Sequence, residues 1–245
     1  MFQSIKPLFM REFLGYFRTP IGYVFIIVFL LASLGCMFFL GGFFESNQAS
    51  MQVYFNYHPW LFLFLVPAVG MRLWAEERRE GTDELLFTLP ITQTQAITAK
   101  FLAGWLFIVV ALALSFPLII TVNFLGEPDN GVIFTGYIGS MLMAGAYLAI
   151  SCFTSAISKN QVIAFILGVI ICFIMVLIGW GVFTNLLAGI FSAGVIDFIA
   201  SIGFISHYSA ISRGLMDSRD IVYFISIITA FLTLNGLVLS GRRIA

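Results

Sequence analysis

Glu76-Glu77-Arg78-Arg79-Glu80-Gly81-Thr82-Asp83-Glu84-Leu85-Leu86-Phe87-Thr88-Leu89-Pro90 holds seven of the chain's 12 basic and 12 acidic residues, and long apolar segments flank it on both sides. A charge run is ordinarily a solvated loop, but this one is punctuated. Gly81 breaks whatever precedes it. Thr82 is a good N-cap, because its hydroxyl can accept an orphan backbone N–H. Asp83 and Glu84 then fall in a first turn, where the helix dipole favours anions. Leu85, Leu86 and Leu89 form a short apolar stripe, and Pro90 disfavours helix at the residue before it. Thr92-Gln93-Thr94-Gln95 has the spacing of a capping box and restarts a helix. The expected product is a short capped helix beyond the bilayer, with an apolar stripe suited to a groove on another protein.

The surroundings make this stretch the exception. Of 245 residues, 60% are hydrophobic, 28 are Phe and only 10% are charged, against about 25% charged in soluble domains. Mean hydropathy is +1.03. Such a chain cannot cover a soluble globule with polar surface, so its solvent is lipid. Net charge is zero, which implies no nucleic-acid partner. Six stretches approach or exceed the roughly 20 apolar residues a spanning helix needs: 21–44, 57–75, 101–125, 132–157, 161–183 and 221–241. Barrel strands would be about half as long and alternating. The whole chain, 1–245, therefore reads as one all-α integral membrane domain.

Residues 1–19 are followed by an apolar run too long for a signal peptide and read as an amphipathic helix lying in the interface. Phe2, Ile5, Phe9, Phe13, Tyr16 and Phe17 share one face; Ser4, Arg11, Gly15 and Arg18 share the other. Pro20 separates this helix from the first span. With six spans and the N-terminus inside, ten Lys and Arg residues lie on the cytoplasmic side and only Arg213 and Arg219 outside, a strong positive-inside bias. That expectation places both termini and the 76–90 stretch in the cytoplasm, with Tyr54, Tyr57 and Trp60 as an outer aromatic belt. Residues 186–205 are apolar enough to count as a seventh span, and the charge count is the same either way. Asp197, at a cost of roughly 2.5–3.5 kcal/mol in mid-span, and Gly189, Gly194 and Gly203 point instead to broken helices that enter and return.

Chemistry is sparse. Cys36, Cys152 and Cys172 fall inside apolar segments and read as small buried residues. No CxxC pair, HExxH or GxxxxGK[ST] occurs, so no phosphate loop is present for ATP. The spans carry almost no ionisable residue at depth, unlike ion-coupled carriers. Energy, if used, comes from a partner. Ser115, Thr121, Asn123, Ser140, Ser151 and Thr154 either line a polar path or hydrogen-bond helices together.

Glu80-Gly81-Thr82-Asp83-Glu84-Leu85-Leu86-Phe87-Thr88-Leu89-Pro90 resembles the signature of ABC-2 type permeases, the membrane subunits of type V ABC transporters. His207-Tyr208 and Arg213-Gly214-Leu215-Met216-Asp217-Ser218-Arg219-Asp220 resemble its gliding-motility-associated subgroup. Asp83 stands where the pattern commonly has an apolar residue, and Tyr208 where Phe is usual. The resemblance implies six transmembrane helices, an N-terminal elbow helix over 1–19, a cytoplasmic coupling helix within 76–90 and a re-entrant outer hairpin over 184–217. It implies ATPase coupling by Glu76, Glu80, Gly81, Thr82, Asp83, Glu84, Leu85, Leu89 and Pro90. It implies an outer lid carrying Asp197, His207, Arg213, Asp217, Arg219 and Asp220, for which plain interfacial anchoring is an equal reading. The implied partners are a soluble ATP-binding subunit, which binds ATP and Mg, and a second permease, identical or not, which can carry a large extracytoplasmic domain. The implied setting is the bacterial inner membrane, with lipid around the chain and no cofactor in it. The implied function is transport, with a family bias toward export. A membrane scaffold of an ATP-driven envelope or motility machine is the competing reading.

Overall fold

The computed structural model describes residues 2–82, 91–187 and 191–241, the side chains of residues 2–4 and 193 excepted. Among the described residues the regular structure is entirely helical. It opens with α1 (Phe2–Arg18), α2 (Pro20–Gly35, continued by a π-helical turn over Cys36–Leu40), α3 (Gln52–Asn56), α4 (His58–Gly70) and α5 (Arg72–Glu80). After the charged stretch come α6 (Gln93–Ala113), α7 (Phe116–Leu125), α8 (Asn130–Ile157) and α9 (Gln161–Ile178). The short helices α10 (Gly181–Leu187), α11 (Ala193–Ala200) and α12 (Phe204–Ser212) lead into α13 (Ser218–Gly241). Six units are long and apolar enough to cross a membrane: Pro20–Leu40, His58–Glu80, Gln93–Leu125, Asn130–Ile157, Gln161–Ile178 and Ser218–Gly241. The chain is thus an all-α, multi-pass membrane protein, as the hydropathy pattern predicts.

α8 is the hub. It is the most buried of the six, and α4, α6, α9, α12 and α13 all pack on it. Small residues make this possible: Gly136, Gly139 and Gly145 lie against Phe55, Ile211 and Trp105, the close approach that small side chains permit between membrane helices. α2, α9 and α13 keep mostly apolar exposed faces, which suits lipid or a second membrane subunit.

Hydrogen bonds and ring contacts sort the helix ends. At one end of the bundle Arg78 donates from Nη1 to the Ala156 carbonyl (2.7 Å). Gln93 donates to Gly236 O (2.6 Å), and Thr154 to Ala164 O (3.0 Å). At the other end Trp60 meets Trp180 at 5.4 Å between ring centroids. There Gln52 donates to Ser212 Oγ (3.3 Å) and Gly214 lies against Val132. The ends of α5, α8 and α13 therefore share one end with the start of α6. The segment 179–217 begins and finishes at the opposite end, and α11 and α12 meet at a 71° bend.

Two spans are broken, each for a local reason. Pro117 follows the kink at Leu114-Ser115, where a proline ring prevents helix continuation. The α4–α5 break at Met71 follows Pro67. Its free donors are capped from another helix: the backbone N–H groups of Trp74 and Ala75 both donate to Ser155 Oγ at 3.0 Å, and Ser155 donates onward to Met71 O (2.8 Å). Ser155→Ala orphans two buried donors, each costing about 1–3 kcal/mol. The variant is expected to melt several degrees lower in detergent, while Ser158→Ala, on an exposed turn, stays near wild type.

One sequence expectation fails here. Tyr54 is fully buried, edge-on to His58 at 4.5 Å, so it does not stand in an outer aromatic belt. The short helix α3 turns it inward, which a count of interfacial aromatics cannot register.

Candidate functional site

The charged stretch emerges from α5, and the helix ends by a mechanism written in its residues. Gly81 adopts the left-handed conformation (φ 69°), accessible to glycine at no steric cost. The Gly81 and Thr82 N–H groups both donate to Glu77 O, an αL stop of Schellman type. Arg78 and Arg79 occupy the last turn, the favourable end of the dipole for cations. Glu80, Gly81 and Thr82 are exposed and Glu76 is half-buried. Asp83, Glu84, Leu85, Leu89 and Pro90, with the helix expected for them, lie outside the described residues. The restart is as read: Thr92 accepts from Gln95 N, and the Gln95 side chain accepts from Thr92 N, a complete capping box.

The base of this stretch is held by charges that the sequence left scattered. Lys100, on α6, is 1% exposed. Its ammonium lies 2.9 Å from Glu77 Oε1 and 3.3 Å from Glu12 Oε1, over the Trp74 ring at 5.2 Å. Arg11 Nη2 joins both carboxylates, at 2.6 Å to Glu12 and 3.2 Å to Glu77. Burial alone would raise the Glu12 pKa, but the Lys100 charge and the Arg11 hydrogen bond and charge outweigh it and lower it below the ordinary carboxylate range. Arg11 is likewise opposed by its own desolvation, yet its pKa rises through its bonds and charge pairing with Glu12 and Glu77. The four residues tie α1, α5 and α6 together. Read as sequence, Lys100 is one positive-inside count and Glu77 part of a solvated run. Two signals were available. Glu12 is the sole acid in the first 44 residues, and Lys100 the sole charged residue between Glu84 and Glu127. A lone charge inside an apolar segment needs a partner.

α1 behaves as the amphipathic pattern predicts. Ile5, Phe9, Phe13, Tyr16 and Phe17 pack on the core, and Tyr16 stacks on Phe107 at 4.5 Å. Arg11 and Arg18 are exposed.

At the opposite end the predicted lid residues divide. Asp197, Arg213, Asp217 and Arg219 are exposed. Asp217 Oδ1 accepts from Arg219 N (2.9 Å), and that backbone bond leads the causes that lower its pKa. Asp220 is buried, 2.6 Å from His207 Nδ1. His207 Nε2 reaches Ser201 O (2.8 Å), and its ring stacks on Tyr223. Asp220 and His207 thus fasten α12 to α13, while the other four face out.

A second fastening was not legible. His58 Nδ1 lies 2.7 Å from Ser140 Oγ. Ser140 spends its one proton on Gly136 O (2.8 Å), so the imidazole is the donor. Tyr208 donates to Phe55 O (3.0 Å) and sits 3.0 Å from Ser140. These bonds give the buried Tyr208 hydroxyl partners on two neighbouring elements.

The polar residues of the spans bond mostly within their own helices. Ser115, Ser140, Ser151 and Thr154 are buried and bonded to carbonyls of their own or neighbouring helices. Thr121 and Asn123 bond back to the preceding turn of α7. Cys152 and Cys172 are buried as expected and Cys36 is half-buried. The Cys152 sulfur also accepts from Asn235 at 2.9 Å and Trp74 at 3.3 Å. Among the described residues no three His, Cys, Asp or Glu side chains are grouped as a metal site would require.

Residues 45–243, about four-fifths of the chain, match the family model described as ABC-2 family transporter protein. No curated protein matches the chain.

Proposed function

The chain belongs to the ABC-2 family of transporter proteins and is a membrane permease subunit, and from that premise we propose that residues 76–90 are its coupling segment to a separate ATP-binding subunit. The observation that carries this is the join at Gly81. An apolar, acid-capped stretch is delivered from an exposed left-handed stop whose base is fixed by the buried Lys100 cluster. Glu76, Glu80, Thr82, Asp83, Glu84, Leu85, Leu89 and Pro90 present the contacts, and ATP and Mg bind in the partner. A second permease, identical or distinct, completes the path through the inner membrane, and export is the direction. Likeness to the gliding-motility-associated subgroup rests on His207-Tyr208 and Arg213–Asp220 alone. The scaffold reading draws support from Ser115, Ser140 and Thr154, which are buried and bonded to neighbouring helices. ATPase stimulation by a small substrate favours transport; stimulation by an extracytoplasmic protein favours the scaffold.

Leu85→Asp with Leu89→Asp is expected to abolish co-purification with the ATP-binding subunit while membrane insertion is retained, since the apolar groove contacts are lost and charge is buried in their place. Undiminished pull-down refutes the coupling role.

The outer hairpin is part of the same proposal. It is supported by a segment that starts and ends at one end of the bundle, with a 71° bend between its helices. With Cys36, Cys152 and Cys172 replaced, Ser218→Cys is expected to react with an impermeant maleimide added outside intact cells. Ser158→Cys is expected to react only after the cells are opened. The reverse at Ser218 gives seven spans.

A further inference from the structure

A cavity of ≈ 300 Å³ opens between α1 and the α4–α5 junction, lined by Arg11, Glu12, Tyr16, Thr19, Arg72 and Glu76 among others. It is at the small end of ligand pockets, which run from about 300 to 1,000 Å³. Its charges are unequally committed. Arg11 and Glu12 are taken by each other and by Lys100 and Glu77. Arg72 and Glu76 are not. They stand one turn apart on α5, at the spacing that places two side chains on one face, yet among the described residues they form no ion pair with each other. Arg72 Nε is shut off from solvent and has no hydrogen-bond partner among the described residues. The residue as a whole is only half-buried and lines the cavity, so a ligand there meets the outer nitrogens of the guanidinium.

The wall opposite adds a third feature. Thr19 is the N-cap of α2, but its side chain makes no capping bond. It turns back to Gly15 O instead (3.4 Å). The N-terminus of a sixteen-residue helix, with the positive end of its dipole, therefore borders the cavity. That end favours phosphate oxygens, and a guanidinium fork binds the same group bidentately. A bare anion, however, would meet Glu76, and a bare cation would meet Arg72. One molecule that carries both a phosphate and a hydrogen-bonding cation satisfies both walls. The cavity lies beside an amphipathic helix of the kind that rests at headgroup level.

We infer that this cavity binds a zwitterionic phospholipid headgroup with a primary ammonium, phosphatidylethanolamine chemistry, with phosphate on Arg72 and the α2 N-terminus and ammonium on Glu76. Quaternary choline cannot donate to the carboxylate, and anionic headgroups are repelled by it. The site depends on the membrane placement of α1 and shares Glu76 with the proposed coupling segment; lipid retention is read on the permease alone, so its failure and a failure of coupling are told apart.

The test uses the full-length protein in detergent. It is offered an equal mixture of phosphatidylethanolamine, its N-monomethyl and N,N-dimethyl derivatives and phosphatidylcholine, all with the same acyl chains. Retained lipid is counted by native mass spectrometry. Retention is expected to fall stepwise with methylation, roughly tenfold across the series, as loss of a charge-assisted hydrogen bond implies. Glu76→Gln is expected to erase the preference, Arg72→Gln, which loses the phosphate contact common to the series, to lower retention of all four lipids, and Arg72→Lys, which keeps the charge without the fork, to lower it less. Equal retention of all four lipids by the wild type overturns the proposal without any variant. So does stronger retention of phosphatidylglycerol when it is offered in a separate equimolar competition with phosphatidylethanolamine, or an unchanged preference in folded Glu76→Gln. Glycerophosphoethanolamine, which has no acyl chains, distinguishes the source. Displacement of the lipid by it at equal concentration means a soluble ligand and refutes the membrane one.

Discussion

Lys100→Met is expected to destabilise the protein by about 3–5 kcal/mol, the cost of removing one partner from a buried ion pair. The methionine restores the volume but leaves the Glu77 and Glu12 carboxylates facing a 2%-exposed side chain with only Arg11, itself 55% exposed, to answer them. The loss should depend on pH with a definite sign. In the wild type the Glu12 pKa is lowered, so its contribution is full above the ordinary Glu value of about 4.3. That contribution is lost as pH falls through the depressed value. The variant has lost the principal cause of that depression, so its deficit should be largest at neutral pH and shrink toward pH 4 as Glu12 takes up a proton. Adding Glu77→Gln should recover part of the deficit. Thermal melts of the three proteins at two pH values measure this. A deficit under about 1 kcal/mol, the range of exposed pairs, refutes a buried cluster.

Gly203→Ala is expected to lower the melting temperature by several degrees and to open the 179–203 segment to protease. A Cβ at Gly203 would stand 2.2 Å from Gly179 N and 2.3 Å from its Cα. The obstacle is backbone, which cannot rotate aside, so α12 must part from the end of α9 at an overpacking cost of about 1–3 kcal/mol or more. Gly194→Ala is the internal control. It lies in the same 179–217 segment, has nothing within 4 Å of its added carbon and sits inside α11, where alanine is the better helix former. It should leave the melt unchanged or raise it. Equal behaviour of the two variants would mean that the Gly179–Gly203 contact contributes nothing.

Much of this fold is local information. Transfer of a segment into lipid depends on that segment's own residues, so hydropathy located six spans within five residues of their ends, except the start of the third, which lies eight residues earlier than read. Gly81 and Thr92–Gln95 announced a stop and a start because the geometry they impose is confined to one turn. The buried charge cluster is of another kind. Glu12 and Lys100 are 88 positions apart, and nothing in either neighbourhood names the other. Ser155 is similar: capping residues are sought beside the helix they cap, and this one arrives from α8. For the residues expected in an outer lid, the sequence pattern did not separate Asp217, which is exposed, from Asp220, which is buried on His207. That difference is set by which side of the first turn of α13 meets α12.

The trans-helix cap at Met71 has a mechanical consequence. Ser155 fixes the first turn of α5 to α8, Arg78 fixes its last turn to the end of the same helix, and Lys100 fixes its middle to α6 and α1. A helix pinned at three heights cannot pivot as a lever about Gly81. A force applied there displaces α1, α5, α6 and α8 as one rigid block. Compliance must then reside outside that block, in the short helices α10 and α11, none of whose described side chains is buried and which touch few other elements. A stroke delivered at one end of the bundle would thus be read out at the other as displacement of these two helices.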